Sequence, residues 1–486
     1  MPERYRNYLG GEWVEAAAGQ TYERHNPADT RELVGLFPSS GPEDVRRALE
    51  AAAGAQPKWA GLSGPERGKY LHKTADVLER RLEEVARGLT QEEGKTIGEA
   101  RGEVARGVTI LRYYAGEGSR QVGEVIPSAN PRTLLFTTRA PLGVVALITP
   151  WNFPIAIPVW KLAPALVYGN TVVLKPATLA PLTALRVAEC FAEAGLPPGV
   201  LNIVTGSGSG IGRELVTHAY TRAVSFTGSN SVGKTIAQWA MERGIKYQLE
   251  MGGKNPVIVL GDADLPQAVE LTVSGAMRST GQKCTATSRA IVLEGIAKKF
   301  TDMVVERIKS LKLGPGADEA TYLGPLVSEE QRRTVLEYIA VGESEGARLL
   351  CGGKVPSDAM YSHGYYVEPT VFTEVTPQMR IAQEEIFGPV LAIMVAQSLD
   401  QAIALANHSR FGLSASICTR DLNAALEFAS RIEAGMVRVN GETAGVEPQA
   451  PFGGFKASSS YSREQGRAAL EFFTQVKTVS IDRAGK

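Results

Sequence analysis

The chain has 486 residues, too long for one hydrophobic core, so two or three domains are expected. Lys plus Arg and Asp plus Glu number 52 each, which leaves no basic excess to draw nucleic acid or an anionic membrane surface. The four cysteines, Cys190, Cys284, Cys351 and Cys418, are scattered without a Cys-x-x-Cys pair, so no metal site or disulfide framework is expected and a reducing cytoplasm fits.

The start, Met1-Pro2-Glu3-Arg4-Tyr5-Arg6, is charged with no apolar run behind it, which argues against a secretory signal, and no stretch reaches the length of a membrane span. Residues 46–120 read mainly as helices, with apolar positions three and four apart, as in Val77, Leu78, Leu82 and Val85. Val125–Pro127 and Thr133–Thr138 read as two strands around a Ser-Ala-Asn-Pro turn. Short apolar runs then alternate with helical segments: Val144–Thr149, Thr171–Leu174, Leu201–Val204, Ala223–Phe226 and Tyr247–Leu249. One intervening helix, 181–194, stops at Gly195 before Pro197 and Pro198. A second set follows Gly253: Pro256–Leu260, Arg289–Leu293, Pro389–Val395 and Met436–Val439. Apolar strands alternating with helices predict α/β architecture, two parallel-sheet domains with a seam near 252–254. The 122–142 hairpin and a terminal strand, Phe472–Ile481, fall outside both and should pair with each other or with another subunit.

Ligands of open parallel sheets bind at the carboxyl ends of strands. Thr149-Pro150-Trp151-Asn152-Phe153-Pro154 ends the first strand, and Asn152 offers an uncharged amide donor suited to an oxyanion. Lys175-Pro176-Ala177-Thr178 ends the next, where Lys175 could reach a ribose or phosphate or simply be solvated. Two Gly/Ser-rich strand ends, Val204 to Gly212 and Phe226 to Gly233, open helices whose N–H groups favour phosphate. Neither is a clean dinucleotide fingerprint, and tight strand–helix packing would also use such glycines.

Glu250, in Leu-Glu-Met-Gly-Gly-Lys, lies 34 residues before Cys284, in Gly-Gln-Lys-Cys. A thiolate attacks an electrophilic carbon, and a carboxylate raised in pKa by burial can activate water to break the resulting thioester. Lys283 could help hold a thiolate, and a buried inert cysteine is the default alternative.

Together with Glu384-Glu385-Ile386-Phe387-Gly388-Pro389 and Pro451-Phe452-Gly453-Gly454-Phe455-Lys456, these motifs resemble, in order and nearly end to end, the NAD(P)-dependent aldehyde dehydrogenase superfamily. The resemblance implies that fold: a cofactor domain (1–121 and 143–252), a catalytic domain (253–451), an oligomerisation arm (122–142 and 470–486) and a connecting segment (452–469) near the substrate, assembled as a homodimer or homotetramer. It implies that Cys284 forms a thiohemiacetal and then a thioester. The Asn152 amide and the Cys284 N–H would hold the oxyanion, Glu250 would activate water, and Lys161 and Glu464 match a proposed proton relay. Lys175 and Glu385 would hold ribose hydroxyls, Ser229 the pyrophosphate and Phe387 the nicotinamide ribose. Thr149, Pro150, Trp151, Ala177, Thr178, Gly208, Gly212, Phe226, Gly228 and Met251 complete the implied cofactor site. Members strict for NAD often carry Glu at the position of Thr178, and its absence removes repulsion of a 2′-phosphate, so NADP is expected to be favoured over NAD.

Arg278, six residues before Cys284, resembles the carboxylate-binding arginine of succinate-semialdehyde dehydrogenases, although Trp160 stands where their second arginine would be. The Cys284 segment, Thr443–Val446 and Ser458–Gly466 are most similar to 2-oxoglutarate-semialdehyde (2,5-dioxopentanoate) dehydrogenases. Phe153, Trp160 and Phe452 would line the aldehyde tunnel with Arg278, though aromatics are equally at home in a core. Acylating relatives that use coenzyme A lack the base at Glu250, and a silent homologue would be expected to lose Cys284, Glu250 or Asn152. No histidine lies near Cys284 in sequence, which argues against a phosphorylating Cys-His site.

Overall fold

The structure is a computed structural model that describes residues 2–120 and 122–483. Met1, residue 121 at the expected end of the first cofactor segment, and residues 484–486 at the tip of the expected arm lie outside the described residues.

Two seven-stranded sheets carry the fold. In the first, five parallel strands lie in the spatial order Lys246–Glu250, Thr221–Thr227, Val144–Ile148, Thr171–Lys175, Leu201–Ile203. Every residue of Val144–Ile148 and Thr171–Lys175 is buried, as expected of a parallel sheet covered on both faces. The strand order reverses between Val144–Ile148 and Thr221–Thr227, which opens a crevice at their carboxyl ends. The expected all-parallel sheet is extended by two antiparallel strands, Asn7–Leu9 and Glu12–Val14. At three residues each, they are too short to show a period in sequence.

The second sheet runs Arg348–Cys351, Thr370–Thr373, Val390–Ala396, Thr287–Leu293, Asn255–Val259, Ser414–Cys418, Met436–Val439, parallel except at its first strand. Three of these strands were not expected: Arg348–Cys351, Thr370–Thr373 and Ser414–Cys418. They are four or five residues long, and two of them carry Ser and Thr among the apolar positions. The sheets meet where the last strand of the first ends at Glu250 and the second begins at Asn255.

The helical region resolves into Pro42–Gly61, Gly64–Arg80, Leu82–Glu93 and Ile97–Glu117. The apolar series through Val77, Leu78, Leu82 and Val85 spans two helices, because the chain turns at Arg81. Ser63 starts the second helix with a reciprocal cap to Glu66, and Gly94 ends the third at φ +90°.

Thr133–Pro141 pairs antiparallel with Thr474–Asp482 over nine residue pairs, and Val125–Ile126 adds a short third strand. The terminal strand begins at Thr474 rather than Phe472, since Ala468–Phe473 is a helix with Phe472 and Phe473 buried. This outlying sheet exposes Val125, Leu134, Val476 and Ile481. Among the described residues no helix is long and apolar enough to cross a membrane.

Candidate active site

The crevice at the strand reversal is a cavity of about 270 Å³ bordered by Pro150, Trp151, Asn152, Thr227, Gly228, Ser229, Met251, Gly252, Cys284, Gln331, Thr334, Glu385, Ile386 and Phe387. Ser229 caps the helix Asn230–Arg243, and Ser207 caps Gly208–Thr217, so both Gly/Ser runs place helix N-termini at strand ends. A Cβ at Gly228 would meet the Phe226 ring at 2.5 Å, and one at Gly233 would meet the Met251 sulfur at 2.6 Å. Phe226 is therefore buried wall beneath the cavity. Gly212 is buried, yet a Cβ there would meet nothing within 4 Å, so its small size is not explained by protein packing.

Lys175 is buried with Pro176 O as its recorded acceptor at 2.9 Å, and burial lowers its ammonium to about 8. Ala177 and Thr178 follow it, half-buried. The hydroxyls of Thr149 and Thr227 are buried without a partner among the described residues. Buried polar groups are normally paired, so this cluster of orphans fits a polar ligand such as a dinucleotide. Glu385 accepts from Gly253 N at 3.1 Å, and burial raises it to about 7. A Cβ on Gly252 would lie 2.1 Å from a Glu385 oxygen, so only glycine lets the carboxylate lie against the seam. Phe387 has φ +59°, its carbonyl accepts from Gln331 Nε2 at 2.9 Å, and its ring stands edge-on to Trp151 at 5.4 Å.

The loop that leads into Cys284 is shaped by long-range contacts. Ser279 and Thr280 take φ of 53° and 54°, uncommon for residues with a side chain. Glu99 accepts from Ser279 N at 2.7 Å, Thr280 Oγ1 donates to Gly324 O at 3.0 Å, and Gln282 Oε1 accepts from Val327 N at 3.0 Å. The Cys284 carbonyl accepts from Asn255 Nδ2 at 2.8 Å, and a Cβ on Gly253 would lie 2.6 Å from it. The seam after Glu250 thus runs directly against Cys284. Burial, with Glu385 and Glu250 nearby, pushes the Cys284 thiol up to about 12, so it rests protonated. Lys283 does not offset this: it is buried among Glu442, Glu99, Arg278 and Lys95.

Asn152 is buried, and its Nδ2 donates to Gln282 O at 3.0 Å, which orients the amide beside the Cys284 loop. A support that the sequence reading missed stands behind it. Lys95 Nζ donates to Asn152 O at 2.6 Å and to Glu103 Oε2 at 2.6 Å, and lies 4.0 Å from the Phe153 ring centroid. Glu103 Oε1 accepts from Ile155 N and Ala156 N at 2.9 and 3.1 Å. The run Glu92-Glu93-Gly94-Lys95, three acids and bases around a helix-ending glycine, was the available signal.

Glu250 is buried at the end of its strand. Its Oε2 accepts from Ser459 Oγ, and its Oε1 has no partner among the described residues. Burial, reinforced by Glu464, holds this carboxyl well above the usual carboxylate range. Leu249 N donates to Ser460 Oγ at 3.0 Å and Met251 N to Ser458 O at 2.7 Å, so the serine run is stitched onto the strand that carries Glu250. Glu464 and Lys161 form a buried ion pair; Lys161 Nζ also donates to Ser225 Oγ at 2.8 Å. Trp160 Nε1 donates to Glu464 Oε2 at 2.6 Å, and the Trp160 and Phe452 rings lie 5.2 Å apart. Phe153 packs on the same apolar cluster as Trp160, Phe452 and Cys284. Arg278, by contrast, is exposed, with its guanidinium 5.8 Å from the Tyr322 ring centroid and Arg307 at 5.4 Å from the same ring.

The crevice thus has helix N-termini, orphaned hydroxyls and Cys284 at its border, with Glu250 buried close enough to act on the Cys284 thiol. The chain belongs to the aldehyde dehydrogenase family, whose model matches residues 13–479. It is 55% identical over 477 residues to the alpha-ketoglutaric semialdehyde dehydrogenase of Bacillus subtilis, covering 98% of each chain. It is 47% identical over 480 residues to the alpha-ketoglutarate semialdehyde dehydrogenase of Haloferax volcanii, covering 99% of each. A crystal structure described as an NAD-dependent aldehyde dehydrogenase from Sinorhizobium meliloti superposes with a TM-score of 0.97 at 38% identity, over 100% of this chain and 96% of that one.

Proposed function

We propose that this aldehyde dehydrogenase oxidises 2-oxoglutarate semialdehyde to the dicarboxylic acid through a Cys284 thioester that water hydrolyses. The carrying observation is Glu250: a buried carboxyl beside the Cys284 loop, raised in pKa, with one oxygen unpartnered among the described residues. The semialdehyde itself is supported by the names of the two relatives above.

Cys284 Sγ attacks the aldehyde carbon: as the C–S bond forms, the C=O π pair moves onto oxygen and the thiol proton passes to solvent water in the crevice. The second Asn152 N–H, not used on Gln282 O, and the Cys284 backbone N–H stabilise the oxygen that gains charge. Lys175, Thr149, Thr178, Ser229, Glu385 and Phe387 hold NADP or NAD, which when bound supplies the hydride acceptor. Glu250 Oε1 then takes a proton from the water that attacks the thioester, and Glu464 with Lys161 provides the outward path for that proton. A base at Glu250 favours water over coenzyme A as the acceptor. Residues 1–121 and 143–252 serve the cofactor and 253–451 carry the nucleophile. The 122–142 and 470–486 arm, with its exposed apolar strands, joins subunits into a dimer or tetramer.

The test is kcat/KM for 2-oxoglutarate, succinate and glutarate semialdehydes and for simple aliphatic aldehydes, each with NAD and NADP. 2-Oxoglutarate semialdehyde with NADP should rank first. A preference for the uncarboxylated aldehydes would sink the substrate reading. NAD favoured more than about tenfold would sink the role of Thr178, since tenfold equals roughly 1.4 kcal/mol of discrimination.

A further inference from the structure

Arg106 lies on the helix Ile97–Glu117, half-buried, and plays no part in the chemistry above. Its Nη2 donates to Val446 O and, at 3.5 Å, to Gln465 Oε1. Its Nε and Nη1 have no recorded partner, and no carboxylate pairs with it among the described residues. The nearest acid, Glu103, is already committed to Lys95 and two backbone N–H groups. The guanidinium is partly withdrawn from water without a counter-charge, and a planar fork with uncommitted N–H groups suits a carboxylate.

Its anchors tie it to the segment that carries Phe452 and Glu464. Val446 packs on the apolar cluster that includes Trp160, Phe452, Phe153 and Cys284. Gln465 follows Glu464, which accepts from the Trp160 indole and exchanges backbone hydrogen bonds with Phe452 at 2.6 and 2.7 Å. Arg278 offers a weaker case, because its exposure lets water compensate its charge.

We propose that Arg106 binds the far carboxylate of the semialdehyde and sets the preference for carboxylated aldehydes. The inference rests on the substrate reading above. Held by Val446 O and Gln465, the guanidinium is pre-oriented, so little side-chain freedom is lost when the anion docks.

The test compares wild type, Arg106→Met and Arg106→Lys on 2-oxoglutarate semialdehyde and on pentanal, a five-carbon aldehyde without the carboxylate. Arg106→Met should raise KM for the semialdehyde about 10- to 100-fold, the loss of charge-assisted hydrogen bonds to one anion, with kcat changed less than about threefold. Pentanal kinetics should stay within about twofold of wild type, and Arg106→Lys should recover part of the loss. A semialdehyde preference that survives in Arg106→Met overturns the inference alone, as does an equal loss on both aldehydes. If Arg106→Met misfolds, the inference stands or falls on Arg106→Lys, which must weaken semialdehyde binding selectively. Wild type indifferent between the two aldehydes overturns the substrate reading and the inference with it.

Discussion

Two buried glutamates flank the candidate active site and are treated oppositely by the fold. Behind Asn152, Glu103 is saturated: Lys95 on one oxygen and two backbone N–H groups on the other. At the seam, Glu250 has one hydroxyl donor and a bare oxygen. A saturated carboxylate fixes geometry, because every lone pair is spent on the protein. An unsaturated one keeps a high proton affinity and a free acceptor, which are the properties of a base.

Exchanging the acid for its amide separates the two roles most sharply. Glu250→Gln should lower kcat by about 10²- to 10⁴-fold, the usual share of general base catalysis, while acyl-enzyme accumulates as a mass increment on Cys284. If no acyl-enzyme builds up, Glu250 acts before the thioester and the contrast fails. Lys95→Met should instead cost about 3–5 kcal/mol of stability, since it strands a buried Glu103, and denaturant titration would show it. Equal destabilisation by Glu250→Gln would erase the distinction.

Ser459→Ala removes the donor that restrains the Glu250 pKa. The rising limb of kcat against pH should move to higher pH, with roughly a several-fold loss at pH 7 that recovers by about pH 9. An unmoved limb would mean that Glu250 does not titrate in that step. The smallest effect is on stability. Glu250 is raised, Glu93 sits at about 8, and Glu92 and Glu385 at about 7, all chiefly through burial. Each folded carboxyl binds its proton more tightly than the unfolded one. Its stabilising contribution is therefore complete below the unfolded value of 4.5 and is lost as pH rises through the folded value. Tm should fall between pH 5 and pH 8, and Glu250→Gln should lessen that fall by about 2 °C. Identical slopes in the two proteins would contradict the raised Glu250.

Much of this centre was legible in the chain. Apolar runs marked the parallel strands because burial on both faces leaves few polar positions. Cys284, Glu250 and Asn152 stood at strand ends or turns where ligands bind. The short edge strands near residues 7–14 and 348–351 were not legible, since they pair antiparallel at the sheet edges, outside the alternation of parallel strands and helices. Nor were the left-handed Ser279 and Thr280, which nothing in their side chains requires; distant acceptors and donors hold them there.

The sequence by itself determined which groups are present and in what order: an amide, a lysine after a strand, Gly/Ser helix starts, a carboxyl at a strand end and a thiol. Only the tertiary structure decided how each is poised. Ser459 meets Glu250 across 209 positions and Arg106 meets Val446 across 340, so neither contact has a local signature. Burial and charge at such meetings set proton affinity, which is why Cys284 rests as a thiol and Glu250 stays above the usual carboxylate range, while hydrogen-bond donors from distant segments saturate Glu103 and leave one Glu250 oxygen bare among the described residues.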